Sequence, residues 1–360
     1  YIFGLCGDTS LPFYDALHRL DHGITHILSR DERSAAYMAD GYARVSGKVG
    51  VCEGPSGGGA TYIAPGLVEA NESSIPILAI TTDISVGARG RYSLTELDQS
   101  ALFRPMTKWN GVIGRAEDVP KMLRAAFRHM TTGRPGAAHL ALPFDVQNGA
   151  VDPADIWHDP DLGRYPAWPT APDPAAIAKL ARVLLAAKNP LVVCGGGVVL
   201  AGAEGGLCRL IEQLEIPVAT TISGKGSIPE DHPLALGVVG SNGGVPETRR
   251  FMEAADLILL IGCRAGSVTT ERWRYPAPGS CKIAHIDSDP GVIGANYPTE
   301  AAVVGDANLA LAALNAEIGA AKPPARDLNQ AAVAAAKSAK FAAFHALAQS
   351  DERPIRPERL

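Results

Sequence analysis

Chemistry in this chain starts with one acid. Glu32 lies in Ser29-Arg30-Asp31-Glu32-Arg33-Ser34-Ala35-Ala36, where a short apolar run gives way to helical spacing. Ligands of open parallel sheets bind beyond the carboxyl ends of the strands, where the loops converge. A carboxyl group held there can share or accept a proton. An acid opening a helix also interacts favourably with the helix dipole, and Asp31 could fill that role equally well. The second feature is Gly54-Pro55-Ser56-Gly57-Gly58-Gly59-Ala60-Thr61, which links another apolar run to another helix. With no side chains in the way, such a turn lets backbone approach a flat ligand, or it is a plain tight connection. It lacks the lysine of a phosphate-binding Walker loop.

Other groups are weaker. Gly195-Gly196-Gly197 follows a strand-like run and leads toward a helix, so it suits either a phosphate on free N–H groups or a close turn under a sheet. Neither glycine triplet has the spacing GxGxxG with an acid about twenty residues on. Lys225 stands between Gly224 and Gly226, open to a phosphate or simply solvated. No nucleophile-elbow pattern occurs. His285 falls inside a strand-like run, and His18 and His22 fall in or beside the first helix.

The elements that must position these groups alternate between strand and helix. Apolar runs at Tyr1–Cys6, Ile24–Ser29, Gly50–Glu53, Pro76–Thr82 and Ala137–Leu142 predict strands. Helical spacing falls at Leu11–Leu20, Ser34–Ser46, from the glycine cluster to about Ser73, and at Pro120–Met130. Pro76–Thr82 is almost wholly apolar, as a strand covered on both faces requires. Six prolines between Gly149 and Pro174 then mark a linker. A second unit follows, with helices at Ala175–Ala187, around Leu207–Leu214, at Asn308–Ile318 and at Leu328–Gln349. Its strands are predicted at Pro190–Cys194, Val218–Thr221, Leu257–Ile261 and Lys282–Ile286. The expected fold class is therefore α/β, with two three-layer domains on parallel sheets. Residues 1–150 form the first, 151–174 the linker, 175–322 the second, and 323–360 a connecting segment with a helix.

Composition agrees. The 360 residues are 46% hydrophobic and 20% charged, which excludes a disordered chain. Thirty-three basic residues against 38 acidic ones give a net charge of −5, with no electrostatic case for a nucleic-acid partner. No apolar stretch reaches the 18 or so residues that suggest a membrane span. The six cysteines show no CxxC and are read as reduced and buried in a cytoplasmic protein. Both ends read as cut: Tyr1 opens inside a strand, and Pro357-Glu358 looks like the first turn of a helix.

Longer motifs go further. Arg30-Asp31-Glu32, Ala39-Asp40-Gly41-Tyr42-Ala43-Arg44, Gly47-Lys48-Val49-Gly50-Val51, Ser56-Gly57-Gly58-Gly59-Ala60-Thr61, Thr107-Lys108 and Gly133-Arg134-Pro135-Gly136 occur in order. Together they closely resemble the pyrimidine-binding domain of thiamine-diphosphate enzymes of the acetolactate synthase type. Gly224-Lys225-Gly226, Pro229-Glu230-Asp231-His232-Pro233-Leu234, Gly262-Cys263-Arg264 and His285-Ile286-Asp287-Ser288-Asp289-Pro290 look like that family's middle domain. The resemblance implies that Glu32 bonds ring nitrogen N1′ of the cofactor's aminopyrimidine and favours the imino tautomer that deprotonates the thiazolium C2. It implies pyrimidine-side contacts at Gly7, Ser56 and Gly58 and a substrate-side contact at Thr95.

The implied reaction is decarboxylation of a 2-oxo acid followed by carboligation. A decarboxylase or C–C lyase is the alternative, and a non-catalytic subunit is a further one. Thiamine diphosphate is the implied cofactor. Mg²⁺ is expected on a diphosphate-binding domain not present in this sequence, disordered or on a separate subunit, and no metal site is expected in this segment. A homodimer or homotetramer is implied. In acetolactate synthases the middle domain holds FAD, and the matching positions are Gly196, Gly197, Thr221, Gly224, Arg264, Asp287 and Asp306. An adenine nucleotide or an empty structural domain are the other readings. The chain departs from the pattern at Asp31, where the family often has His, and at Thr95, where acetolactate synthases carry Gln.

Overall fold

The structure is a computed structural model that describes residues 1–322 and 326–360. It divides into two compact units, Tyr1–Trp168 and Pro169–Leu360. The boundary drawn at Pro323 lies outside the described residues.

The first unit is a six-stranded parallel sheet. Its strands are β1 (Ile2–Gly4), β2 (His26–Leu28), β3 (Gly50–Gly54), β4 (Ile77–Asp83), β5 (Trp109–Val112) and β6 (Ala138–Pro143), and its helices are α1 (Leu11–Arg19), α2 (Glu32–Ser46), α3 (Gly58–Glu72), α4 (Gln99–Phe103), α5 (Val119–Thr131) and α6 (Phe144–Gln147). The strand order is β2-β1-β3-β4-β6-β5. The chain thus moves outward from β1 to β2 and then returns to β3 on the other side of β1. That reversal opens a crevice above the carboxyl ends of β1 and β3, the usual ligand position in such sheets. β1 and β3 are in register as Phe3↔Cys52 and Gly4↔Glu53.

Local chemistry fixes the helices that border this crevice. Asp31 is the N-cap of α2, its side chain accepting from the Ser34 amide at 2.9 Å. The helix ends at Gly47, which takes the left-handed conformation with φ 67°. Small residues on its inner face let it lie close to α3: Ala35, Ala36, Ala39 and Ala43 are fully buried, and a Cβ on Gly66 would sit 2.5 Å from that of Ala36.

The expected linker is more firmly held than its prolines suggest. Leu162, Tyr165 and Ala167 are buried. The Tyr165 hydroxyl donates to the Ala43 carbonyl at 2.7 Å, the Ala167 amide donates to the Thr131 carbonyl at 2.9 Å, and Lys48 and Arg164 form an antiparallel bridge. Residues through Trp168 therefore belong to the first unit.

The second unit is another six-stranded parallel sheet: β7 (Pro190–Cys194), β8 (Val218–Thr220), β9 (Ala235–Val238), β10 (Leu257–Ile261), β11 (Lys282–Asp287) and β12 (Thr299–Val304), in the order β12-β11-β10-β7-β8-β9. Around it lie α7 (Pro174–Ala186), α8 (Gly196–Leu200), α9 (Glu204–Leu214), α10 (Pro246–Ala254), α11 (Ala307–Ile318) and α12 (Gln330–Ala348). β7 and β10 are buried at every residue, as central parallel strands covered on both faces should be.

Candidate active site

Glu32 is the first residue of α2 and only 8% exposed. Asp31, not Glu32, caps the helix, which removes the simplest structural reason for the second acid. Among the described residues no hydrogen bond or ion pair engages the Glu32 carboxyl. Across from it runs the glycine turn between β3 and α3. A Cβ on Gly59 would meet Glu32 Oε1 at 2.9 Å and the Pro55 ring at 2.5 Å, so only glycine allows the start of α3 this close to the acid. Gly57 has φ 67°, and Gly58 faces open space, with nothing within 4 Å of a Cβ placed there.

Gly7 and Ser56 lie in the same loop cluster, on either side of Pro55. A Cβ on Gly7 would lie 2.5 Å from Pro55 Cβ. Buried Ser56 accepts from Thr9 Oγ1 at 3.1 Å, and its amide donates to the same Thr9 oxygen at 3.0 Å. Thr95 sits at the rim, in the left-handed region with φ 68°, a strained setting for a β-branched residue. Its hydroxyl lies 2.6 Å from Ser56 Oγ and 2.5 Å from the Leu94 carbonyl. The sequence-expected residues Gly7, Glu32, Ser56, Gly58 and Thr95 are all in this first unit, on the segments that follow the carboxyl ends of β1 to β4.

Sequence reasoning passed over a second acid. Glu53, near the end of β3, is wholly buried. Ser10 Oγ donates to its Oε1 at 2.5 Å and the Tyr14 hydroxyl to its Oε2 at 2.7 Å. Tyr14 in turn lies 3.1 Å from His26 Nε2 on β2. Burial pushes the Glu53 carboxyl up to about 7, against the lowering effect of its two hydrogen bonds, and the nearby charge of Glu32 adds to the rise. On the other side, Ser10 is 3.1 Å from Thr82 Oγ1, and Thr82 is 2.9 Å from Thr9. Hydroxyl groups thus run from Glu53 through Ser10, Thr82, Thr9 and Ser56 to Thr95. The one available signal was an acid inside a strand-like run; its partners are distant in sequence.

The second unit treats its expected residues differently. Its own strand-order reversal falls between β7 and β10, and there the strand ends are stitched together: the Gly195 amide donates to the Ile261 carbonyl at 2.8 Å and that of Gly197 to the Gly262 carbonyl at 3.1 Å. A Cβ on Gly197 would lie 2.6 Å from Gly262 Cα, and one on Gly224 would lie 2.1 Å from the Cys194 carbonyl oxygen. A Cβ on Gly196 would meet Ser223 at 3.3 Å. Thr221 Oγ1 accepts from the Gly224 amide at 3.0 Å. Asp306 caps α11 by accepting from the amides of Asn308 and Leu309. Asp287 accepts from the Asp289 amide at 2.9 Å, and the Arg264 carbonyl accepts from Asn296 Nδ2 at 3.0 Å. Of the residues expected at a flavin or adenine-nucleotide pocket, Gly197 and Gly224 are packed closely against backbone, Thr221 closes a turn and Asp306 caps a helix.

Lys225 pairs with Glu230 at 2.6 Å on the surface. All six cysteines are free thiols. Cys52, Cys194 and Cys263 are buried as expected, but Cys6 is exposed and Cys208 and Cys281 are only part-buried, because their runs lie at the ends of elements or on an outer helix face. Among the described residues no group of three or more His, Cys, Asp or Glu is arranged to hold a metal ion. No helix among them is long and apolar enough to cross a membrane.

Comparison with known proteins identifies both domains. The N-terminal TPP binding domain of thiamine pyrophosphate enzymes matches residues 1–102, and the central domain of the same enzymes matches residues 177–314. A probable acetolactate synthase large subunit of Methanocaldococcus jannaschii is 40% identical over 364 aligned positions, covering 99% of this chain and 59% of that protein. Its counterpart in Methanococcus aeolicus is 43% identical over 314 positions, covering 86% and 51%. The acetolactate synthase isozyme 3 large subunit of Escherichia coli is 34% identical over 310 positions, covering 86% and 54%. The chain spans about half the length of the curated relatives it matches. With both of those domains in the right order and identity this extensive, the chain belongs to the thiamine-diphosphate-dependent enzymes, in the acetolactate synthase family.

Proposed function

We propose that the crevice between β1 and β3 receives the aminopyrimidine of thiamine diphosphate, with Glu32 as the catalytic acid–base group. The carrying observation is that Glu32 is nearly buried, has no partner within the described residues, and faces a glycine turn that a single methyl group would block. A flat, nitrogen-rich ring would lie against a carboxyl able to share a proton and bare backbone at Gly58, with Gly7 and Ser56 placed beside it on either side of Pro55. When bound, the cofactor supplies a nucleophilic carbon and an electron sink for a 2-oxo acid. Glu32 would hold a proton against a ring nitrogen, and burial would strengthen that bond by excluding water. The glycine turn would let backbone lie against the ring face, and Thr95 would border the substrate side.

The preferred reaction is decarboxylation of a 2-oxo acid followed by ligation to a second carbonyl, supported by the similarity to acetolactate synthases. A decarboxylase or C–C lyase is favoured by one detail: the Thr95 hydroxyl is committed to Ser56 and to the Leu94 carbonyl, so it is not presented to orient an incoming carbonyl. The cofactor's diphosphate and its Mg²⁺ would be held by a further domain or a separate subunit, and the working assembly would be a homodimer or homotetramer. An assay of the full assembly with thiamine diphosphate, Mg²⁺ and pyruvate, scoring acetaldehyde against a five-carbon ligation product, separates the two reactions. In that assay Glu32→Gln should lower turnover by about 10²–10⁴-fold, the usual worth of an acid–base group, with an unchanged fold by circular dichroism. Near-normal turnover would remove Glu32 from the mechanism.

A further inference from the structure

Glu53 is a buried acid that the proposed role of Glu32 does not use. Its carboxyl lies beneath the same crevice, on the strand that leads into the glycine turn. Gly4, opposite it in register on β1, leaves the space it occupies: a Cβ there would fall 2.9 Å from Glu53 Oε2 and 2.7 Å from the Tyr14 hydroxyl. An acid wanted only for packing would be cheaper as an apolar residue, because burying a carboxyl costs solvation that two hydrogen bonds only partly restore.

We propose that Glu53 is a second proton-holding carboxyl of this site, loaded from solvent through Tyr14 and His26 and bordered on its Ser10 side by the hydroxyls of Thr82, Thr9 and Ser56. The path is continuous. His26 is half-buried on β2, its Nε2 is 3.1 Å from the Tyr14 oxygen, and that hydroxyl is 2.7 Å from Glu53 Oε2. With Glu53 ionised and His26 protonated, Nε2–H donates to Tyr14 and Tyr14 donates to Glu53. Transfer of one proton along the two bonds leaves neutral His26 accepting from Tyr14 and a protonated Glu53 donating to it. One N–H bond breaks and one O–H bond forms, the Tyr14 hydroxyl is exchanged, and charge is conserved.

The surrounding groups favour that neutral state. Glu32 on α2 places a negative charge nearby, and Cys52 on β3, Cys6 after β1 and Tyr14 on α1 are raised chiefly by burial and bring no positive charge to oppose it. Burial lowers His26. Two carboxyls share one crevice, and their settings separate them into a proton store and a group with no partner of its own. The use of the stored proton in catalysis rests on the function proposed above; its presence does not.

Carboxyl ¹³C NMR of the glutamate-labelled chain, without cofactor, tests the store directly. One glutamate should titrate near pH 7, vanish in Glu53→Gln, and move upward in Tyr14→Phe and in Ser10→Ala, each of which removes a bond to the ionised form. A Glu53 midpoint in the ordinary carboxylate range, or one unmoved by Tyr14→Phe, would overturn the proposal. Glu53→Gln keeps the shape and a hydrogen-bonding head, and its circular dichroism spectrum reports that the fold survives. In the holoenzyme, the fall of kcat/KM above pH 7 should be abolished by Glu53→Gln; a profile unmoved by that change removes the proton from the reaction. Failure of the function itself reads differently: there Glu32→Gln would leave turnover intact while the Glu53 titration stood.

Discussion

Gly59→Ala is the sharpest test of how the glycine turn meets Glu32. A Cβ on this residue would lie 2.5 Å from Pro55 Cδ, 2.6 Å from Pro55 Cγ and 2.9 Å from Glu32 Oε1. The proline ring is tied to its own backbone and has little freedom to withdraw, so the helix start, the turn or the acid must shift. Overpacking of this kind costs about 1–3 kcal/mol. Alanine in place of a helical glycine returns up to about 1 kcal/mol. The expected net loss is on the order of 1–2 kcal/mol, a fall of roughly 2–8 °C in the melting transition of the first unit. Gly58→Ala is the matched control: it has the same chemistry one residue earlier, with nothing within 4 Å of the new methyl group. That variant should melt at or slightly above the parent temperature. Thermal and urea unfolding followed by circular dichroism compare the two. If Gly59→Ala is as stable as Gly58→Ala, α3 does not approach Pro55 and Glu32 as closely as described, and the case for a glycine-lined ring site weakens with it.

Two buried groups of the first unit should give its stability opposing pH dependences. His139, stacked on Phe103 and bonded through Nε2 to Thr81, is lowered by burial from 6.5 to about 3, so its contribution is present above pH 6.5 and is lost as pH falls toward 3. Glu53 is raised from 4.5 to about 7, so its contribution is present below pH 4.5 and is lost as pH rises through 7. Each is worth on the order of a few kcal/mol, and Glu53→Gln should therefore make the urea midpoint fall more steeply between pH 7.5 and 5 than in the parent; a shallower fall would contradict the assignment. In the second unit, Asp306→Ala removes the cap of α11 and should cost about 0.5–2 kcal/mol in urea unfolding without affecting the first unit's transition. A loss too small to measure would mean that the cap is replaced by water.

Much of the scaffold was legible along the chain, because central parallel strands are apolar on both faces. Pro190–Cys194 and Leu257–Ile261 were found at their observed bounds for that reason. Among the elements that escaped are edge strands and a polar helix. Trp109–Val112 is half-exposed throughout, Thr299–Val304 alternates between covered and open, and the α10 segment Pro246–Ala254 carries its few apolar residues among charges. Their partial burial leaves too little apolar pattern to read.

The candidate site divides along the same line. Asp31 at the cap, Glu32 beside it and the glycine turn were visible because each depends on neighbours within a few residues. Glu53 was not. In sequence it is one acid before a glycine, indistinguishable from a solvated strand end. Its meaning comes from Ser10 and Tyr14, 43 and 39 residues away, and from the register that sets Gly4 opposite it. Local backbone chemistry determines where a helix begins and which residue begins it. Whether a carboxyl is ionised depends on the dielectric and the donors around it, and only the assembled sheet brings those together.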